Sequence, residues 1–256
     1  MLNLENITLF TIFVPWDKSK IDSQDCQDGE KDKTIPDGVT ESIKALYTCM
    51  GFANFKEVKF VTSKDVIDQV GKDLLDDGII CEEPSIPVSS MKDYSKYMIY
   101  HLNEYINTDF VITIQHDGFI INPNAWRDEF LDYDYIGAPW PWREQGFVTP
   151  FGEHVSVGNG GFSLRSKKLI ELPTKVEVPF DVVAMNHFYK MFGSVNWNED
   201  GNICVHNRHI FEENGCKFAP VEVAKYFSYE SPLYINRGII PFGYHGNLPP
   251  GVEIVN

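Results

Sequence analysis

The stretch Asp109–Ile121, DFVITIQHDGFII, decides the fold of this chain. Phe110–Ile114 is an unbroken run of β-branched and aromatic residues. A strand with one face on the core alternates apolar and polar residues; a strand covered on both faces does not. Phe110–Ile114 therefore reads as a central strand of a sheet with helices on both sides. Gln115, His116 and Asp117 follow at its carboxyl end. In open α/β sheets, loops and helix starts converge on a ligand at that edge. A carboxylate there either caps the next segment or holds Mg²⁺ or Mn²⁺, hard ions that favour carboxylates and phosphates. His116 joins the same site or turns into the core.

Outward from this strand, ITLFTIFV (residues 7–14) reads as a buried first strand closed by Pro15. The polar run over residues 17–37 reads as a solvated loop. A helix is expected from Thr40 to Ala53, a strand over Val58–Thr62, and a short helix over Ser63–Val70 capped by Ser63. Tyr94–Ile106 has the apolar spacing of a helix face. Downstream, Pro123–Phe130 reads as a short helix, Tyr135–Ile136 and Phe162–Leu164 as strands, and Ser166–Glu171 as a helix start. Residues 137–161 are rich in Gly, Pro and Trp, poor material for regular structure. Val182–Phe192 and Val205–Asn214 read as helices, Phe218–Val221 as a strand, and the late GYHG as a loop. This order predicts one α/β domain with a central mixed, mostly parallel sheet flanked by helices. Neither GxGxxG after the first strand nor GxxxxGK[ST] occurs, so hydride transfer and P-loop phosphotransfer lose their signatures.

Composition narrows the partners. The 256 residues carry 22 Lys+Arg against 37 Asp+Glu, a net charge of −15 that excludes a general nucleic-acid binder. A hydrophobic fraction of 43% excludes a disordered chain. Five cysteines, at 26, 49, 81, 204 and 216, form no CxxC, which fits reduced thiols in a cytoplasmic setting. No apolar run reaches the ~20 residues of a transmembrane helix, and MLNLENITLF lacks the features of a signal peptide. Peripheral membrane contact needs only a surface patch and is compatible with this composition.

Three further constellations carry chemistry. Asn198-Glu199-Asp200 puts two carboxylates at a helix start, either as favourable partners of the helix dipole or with one serving as general base. Tyr244-His245-Gly246 offers an imidazole beside flexible backbone, a metal or phosphate contact if Asp117 supplies a partner and an ordinary surface or core histidine otherwise. Val157–Arg165, VGNGGFSLR, suits a tight turn with exposed amides for a sugar or phosphate, or a plain glycine-rich hairpin. Trp140, Trp142 and Trp197 stack on sugar rings or fill the core; local sequence does not separate the two.

In this order, ITIQHDGFIINPNAWRDEFLDYDYIGAPW, VGNGGFSLRSKKLI, NEDGNIC and FGYHG resemble the GT-A fold of nucleotide-sugar glycosyltransferases. The closer resemblance is to the DUF5672-type glycosyltransferase-like family of bacterial polysaccharide loci, fungi and large DNA viruses. The resemblance spans residues 110–246, and it implies roles that spacing alone does not. Its Asp-x-Asp metal motif matches Gln115-His116-Asp117, so only Asp117 carries over, with His116 beside it. His245 resembles the C-terminal histidine that also binds Mn²⁺ or Mg²⁺. Glu199-Asp200 matches the acidic pair, with Asp200 as general base and Glu199 as its alternative. Gly160 and Gly161 match the glycines that line the donor sugar, and Val14 and Pro15 the loop that cups the nucleotide base. Residues 1–120 would form the nucleotide-binding half and 121–256 the sugar and acceptor half of one domain.

The implied reaction moves a sugar, as in hexosyltransferases of polysaccharide biosynthesis, from a nucleoside-diphosphate sugar, with UDP favoured. The acceptor is a hydroxyl on a glycan, a lipid-linked sugar or a protein, and the outcome is inverting. The implied location is the cytoplasm, that of the host for a viral member. Two other readings compete: a catalytically inactive carbohydrate-binding relative, favoured by Gln115 in place of the first Asp, and a glycoside or phosphodiester hydrolase, favoured by the paired acids.

Overall fold

The computed structural model describes residues 1–15, 36–141, 148–180 and 198–253. The expected helix over Val182–Phe192, most of the 17–37 run, Trp142 and Trp197 lie outside these residues. Strand β1 (Leu2–Ile12) leads, after the first gap, to helix α1 (Pro36–Phe52), β2 (Ala53–Val61), α2 (Lys64–Asp76), β3 (Ile79–Glu82) and α3 (Met91–Tyr100). Then come β4 (Phe110–Ile114), β5 (Gly118–Ile120), β6 (Tyr135–Ile136), β7 (Phe162–Ser166) and α4 (Lys167–Lys175). A helical turn at Glu199–Gly201 opens into a π-helical turn over Asn202–His206. Helices α5 (Arg208–Glu213) and α6 (Val221–Phe227) and strands β8 (Ser228–Tyr229) and β9 (Gly243–His245) follow.

The main sheet has the order β3-β2-β1-β4-β7-β6. Strands β3, β2, β1 and β4 run parallel, while β7 and β6 are antiparallel to their neighbours. This is the mixed, mostly parallel sheet expected of a single GT-A-like α/β domain. Strand β4 sits between β1 and β7, and its composition follows from that place. Val111 packs with Phe10 and Ile12 on one face, Ile112 and Ile114 with Ile7 and Leu9 on the other. Both faces are dry, so no polar alternation survives. Truncating one such residue, Ile112→Ala, would cost about 2–5 kcal/mol.

Helix starts follow local rules. Ser90 Oγ accepts the Asp93 N–H at 3.1 Å and Ser166 Oγ the Leu169 N–H at 3.1 Å, each satisfying an otherwise orphaned amide. Ser63 occupies the cap position of α2 in extended backbone but makes no side-chain cap bond. Helix α2 continues to Asp76, beyond Val70.

Several expectations need correcting. β3 lies outside the expected elements, because IICE at a sheet edge gives little apolar signal. The Tyr94–Ile106 helix divides into α3 and a 3₁₀ turn at Leu102–Glu104. Pro123–Phe130 forms two 3₁₀ turns, Pro123–Ala125 and Asp128–Asp132. Residues Phe218–Val221 form no strand; Phe218 makes a single bridge to Tyr135, and Val221 starts α6 behind Pro220. GYHG is not a loop. β9 pairs antiparallel with β5, Gly118 opposite His245, and parallel with β8. Among the described residues no helix is long and apolar enough to cross a membrane.

Candidate active site

The site forms where β4 ends. Parallel pairing of Thr11 with Ile114 sets the loop after β1, with Val14 and Pro15, beside Gln115–Asp117. Both loop residues are partly buried, Val14 against the core. The ring of Phe13 lies 6.4 Å from that of His116, which is exposed.

β9 brings His245 across from the other end of the chain. Its Nε2 lies 3.0 Å from Gln115 Oε1 and 3.4 Å from Asp117 Oδ1. Gln115 is tied on its far side, its Nε2 donating to Tyr94 Oη at 2.9 Å. Backbone pairing locks the approach, with Gly246 N–H donating to the Asp117 carbonyl at 3.0 Å. Gly161 makes room for the ring, since a Cβ there would run into the imidazole. The other ring nitrogen, Nδ1, lies 3.5 Å from Glu230 Oε1 and 3.3 Å from Asn159 Nδ2. Burial alone would lower the His245 pKa, but the carboxylates of Asp117 and Glu230 outweigh it and push it up to about 10. Burial likewise opposes ionisation of Asp117, and the His245 imidazole reverses this, holding its carboxyl below the usual range.

A second centre lies on the opposite side of the turn Asn159-Gly160-Gly161. Asp200 Oδ2 accepts the Gly160 N–H at 3.1 Å and its Oδ1 the Gly201 N–H at 2.7 Å. Asn159 holds a left-handed conformation with φ 69°, which asparagine tolerates, and its Oδ1 accepts the Gly161 N–H at 2.8 Å. The turn thus touches Asp200 through one residue and His245 through the residues on either side. Burial and the charges of Glu199 and Glu230 push the Asp200 carboxyl up to about 7, against the two amide bonds that lower it.

Glu199 has a different environment. It is buried, and its Oε1 lies 3.1 Å from Nη2 of Arg165, which is fully buried on β7. Arg165 Nε also donates to Ser163 Oγ at 3.0 Å. A Cβ on Gly160 would overlap Glu199 Oε1, so this glycine gives the pair its space.

The structure therefore brings together Asp117, His245, Gly160, Gly161, Glu199 and Asp200, with Val14, Pro15 and His116 at the adjacent sheet edge. Trp140 is buried, with its ring against Gly158, so it fills the core. Sequence reasoning missed Glu230 and Arg165. Glu230 sits in no motif. Arg165, in a strand of mixed character, carried only the faint signal of a charge between apolar neighbours.

Asp117 and His245 pass a chemical test for a divalent cation. Asp117 Oδ1 is buried and has no hydrogen-bond partner among the described residues. A carboxylate oxygen and an imidazole nitrogen 3.4 Å apart also form a donor pair of the type that Mn²⁺ or Mg²⁺ accepts, with phosphate oxygens completing the shell. No cluster of three or more His, Cys, Asp or Glu side chains suited to a metal ion occurs among the described residues.

The fold is GT-A-like. Mouse xyloside xylosyltransferase 1 in its apo form is similar over 96% of this chain and 98% of its own, with TM-score 0.50 and 12% identity. The apo form of the glycosyltransferase GlyE of Streptococcus pneumoniae TIGR4 is similar over 94% of this chain and 54% of its own, with TM-score 0.49 and 10% identity. No curated protein matches the chain in sequence. Residues 80–245 match the protein family of unknown function DUF5672, and the chain belongs to that family.

Proposed function

We propose that this chain is a glycosyltransferase that moves a sugar from a nucleoside-diphosphate sugar, UDP favoured, to an acceptor hydroxyl, with inversion. The observation that carries the reading is the Asn159–Gly161 turn. It joins a carboxylate poised near neutral pH, Asp200, to a carboxylate–imidazole pair, Asp117 and His245. One centre suits proton removal and the other suits a metal-bound diphosphate.

Asp117 and His245 would hold Mn²⁺ or Mg²⁺, which supplies Lewis-acid stabilisation of the departing diphosphate. Val14 and Pro15 would cup the base, with His116 beside the phosphates. Gly160 and Gly161 would let the donor sugar approach the backbone. Residues 1–120 would thus serve the nucleotide and residues 121–256 the sugar and acceptor, with His245 returning from the second half to the first. In the transfer, the acceptor oxygen attacks the anomeric carbon and Asp200 takes its proton. The bond from that carbon to the diphosphate oxygen breaks, and its electron pair leaves with the nucleotide. Glu199 is committed to Arg165 at 3.1 Å, which supports Asp200 rather than Glu199 as the base. The acceptor would be a glycan, a lipid-linked sugar or a protein, reached in the cytoplasm with or without peripheral membrane contact.

A thermal-shift panel of UDP, GDP, CMP and dTDP with and without Mn²⁺ tests the donor side. One nucleotide should raise Tm in a Mn²⁺-dependent way; no response to any of them would overturn the reading. Product analysis with the matching nucleotide sugar then tests inversion, which a retained anomeric configuration would exclude.

A further inference from the structure

We propose that Tyr135 is a positioning residue for Asp200, acting through the peptide that joins Asn159 to Gly160. This rests on the reading of Asp200 as the base. Tyr135 is fully buried, and its Oη donates to the Asn159 carbonyl at 3.1 Å. The N–H of the same peptide belongs to Gly160 and donates to Asp200 Oδ2 at 3.1 Å. In a planar trans peptide the C=O and N–H point in opposite directions. Holding the carbonyl on Tyr135 therefore aims the amide at Asp200. Two hydrogen bonds on one peptide also polarise each other.

Gly160 is the reason that such a hold is needed. A Cβ there would overlap Glu199 Oε1, so the position carries no side chain. The same feature leaves the preceding peptide easy to flip, since glycine accepts either sign of φ. A flip would turn the amide away from Asp200 and set a carbonyl oxygen against its carboxylate. The next carbonyls of the turn have their own donors. Thr113 Oγ1 donates to that of Gly160 at 3.2 Å, and Gln115 N–H to that of Gly161 at 2.9 Å. The carbonyl of Asn159 is held by Tyr135. Packing does not explain this hydroxyl. The ring centroid lies 6.0 Å from that of Phe218 and 5.5 Å from the Arg165 guanidinium, a place that a phenylalanine ring would fill. The Cys204 thiol, also buried and bonded to the hydroxyl, can give its proton to the oxygen, which leaves the tyrosine proton for Asn159.

The test is Tyr135→Phe in the full chain, read first without any substrate. Its Gly160 amide, followed by ¹H–¹⁵N spectroscopy, should exchange with solvent about tenfold faster than in the parent, the effect of losing one hydrogen bond. The amides of β4 and β7 should keep their parent rates, which a general loosening of the fold would not allow. The Asp200 carboxyl should titrate at a higher pH, because an amide that favours the carboxylate is weakened. The other groups facing it, Glu199, Glu230, Tyr94 and Cys204, are the same in both proteins. In transfer with the nucleotide sugar selected by the thermal-shift panel, kcat should fall about tenfold with donor KM unchanged. Circular dichroism establishes that the variant is folded. In the parent, the Tyr135 hydroxyl proton should exchange slowly enough to be seen in the proton spectrum; free exchange with water would overturn the proposal without any variant. Gly160 exchange and Asp200 titration equal to the parent's would also overturn it, as would equal acceleration across β4 and β7. Asp200→Asn separates the two ideas. If it transfers sugar as the parent does, the reading of Asp200 as the base is wrong. If it fails while Tyr135→Phe matches the parent in every readout, only the role of Tyr135 falls.

Discussion

Arg165 Nη2 and Glu199 Oε1 meet at 3.1 Å with both side chains buried, one residue before Asp200. A buried ion pair gains little net stability over an apolar pair of the same shape, but loss of one partner strands the other charge. Arg165→Met should therefore destabilise the fold by about 3–5 kcal/mol, read from urea or thermal melts. The double variant Arg165→Met with Glu199→Leu should recover most of that loss. A single variant as stable as the parent would mean that the pair does not hold this turn.

Asp200 should behave as a base and not as a binding group. Asp200→Asn keeps the shape and should leave nucleotide affinity intact while lowering the transfer rate by roughly 100- to 10,000-fold. Calorimetry with the nucleotide and single-turnover transfer measure the two separately. Full turnover in Asp200→Asn would assign proton removal elsewhere.

The raised pKa of Asp200 makes a pH prediction with a definite sign. Transfer should rise with pH and level off above about 7, where the carboxyl is ionised. Stability should move the other way. The native pKa of about 7 exceeds the ~3.9 of an unfolded aspartate, so the folded state binds the proton more tightly. The resulting stabilisation is complete below pH ~4 and is lost as pH rises through about 7. Melts from pH 4 to 8 on the parent and Asp200→Asn check this, since the slope due to Asp200 should vanish in the variant.

Gly161→Ala should uncouple His245 from Asp117. The backbone of Gly161 is not in the left-handed region, so the new methyl acts only by displacing the imidazole. Mn²⁺ affinity should fall at least about tenfold, with a stability loss of about 1–3 kcal/mol from overpacking. Unaltered Mn²⁺ binding would show that the ring has another place to go.

How far these features can be read from the amino-acid order depends on the range of the interactions. β4 is legible because its two dry faces leave an unbroken apolar run, and Asp117 because it breaks that run at a sheet edge. The helix start at Ser166 is local as well, whereas Ser63 has the same cap chemistry in its sequence and makes no cap bond. Glu230 is not legible, because its meaning arises from a β8–β9 register that no neighbouring residue announces. Arg165 reads as a surface charge until Glu199, distant in sequence, is placed against it. His245 reads as a loop residue because a three-residue strand carries too little pattern, and only pairing with Gly118 makes it one.

The antiparallel pairing of β5 with β9 also joins two segments that lie far apart in the chain. As the chain leaves the ribosome, Asp117 emerges well before His245, and β5 waits with an open edge that invites wrong partners. The pairing that covers that edge is the same pairing that sets the imidazole beside the carboxylate. Metal affinity would then act as a gauge of completed refolding: an immature chain, or one cut before Gly243, has the carboxylate but not the nitrogen.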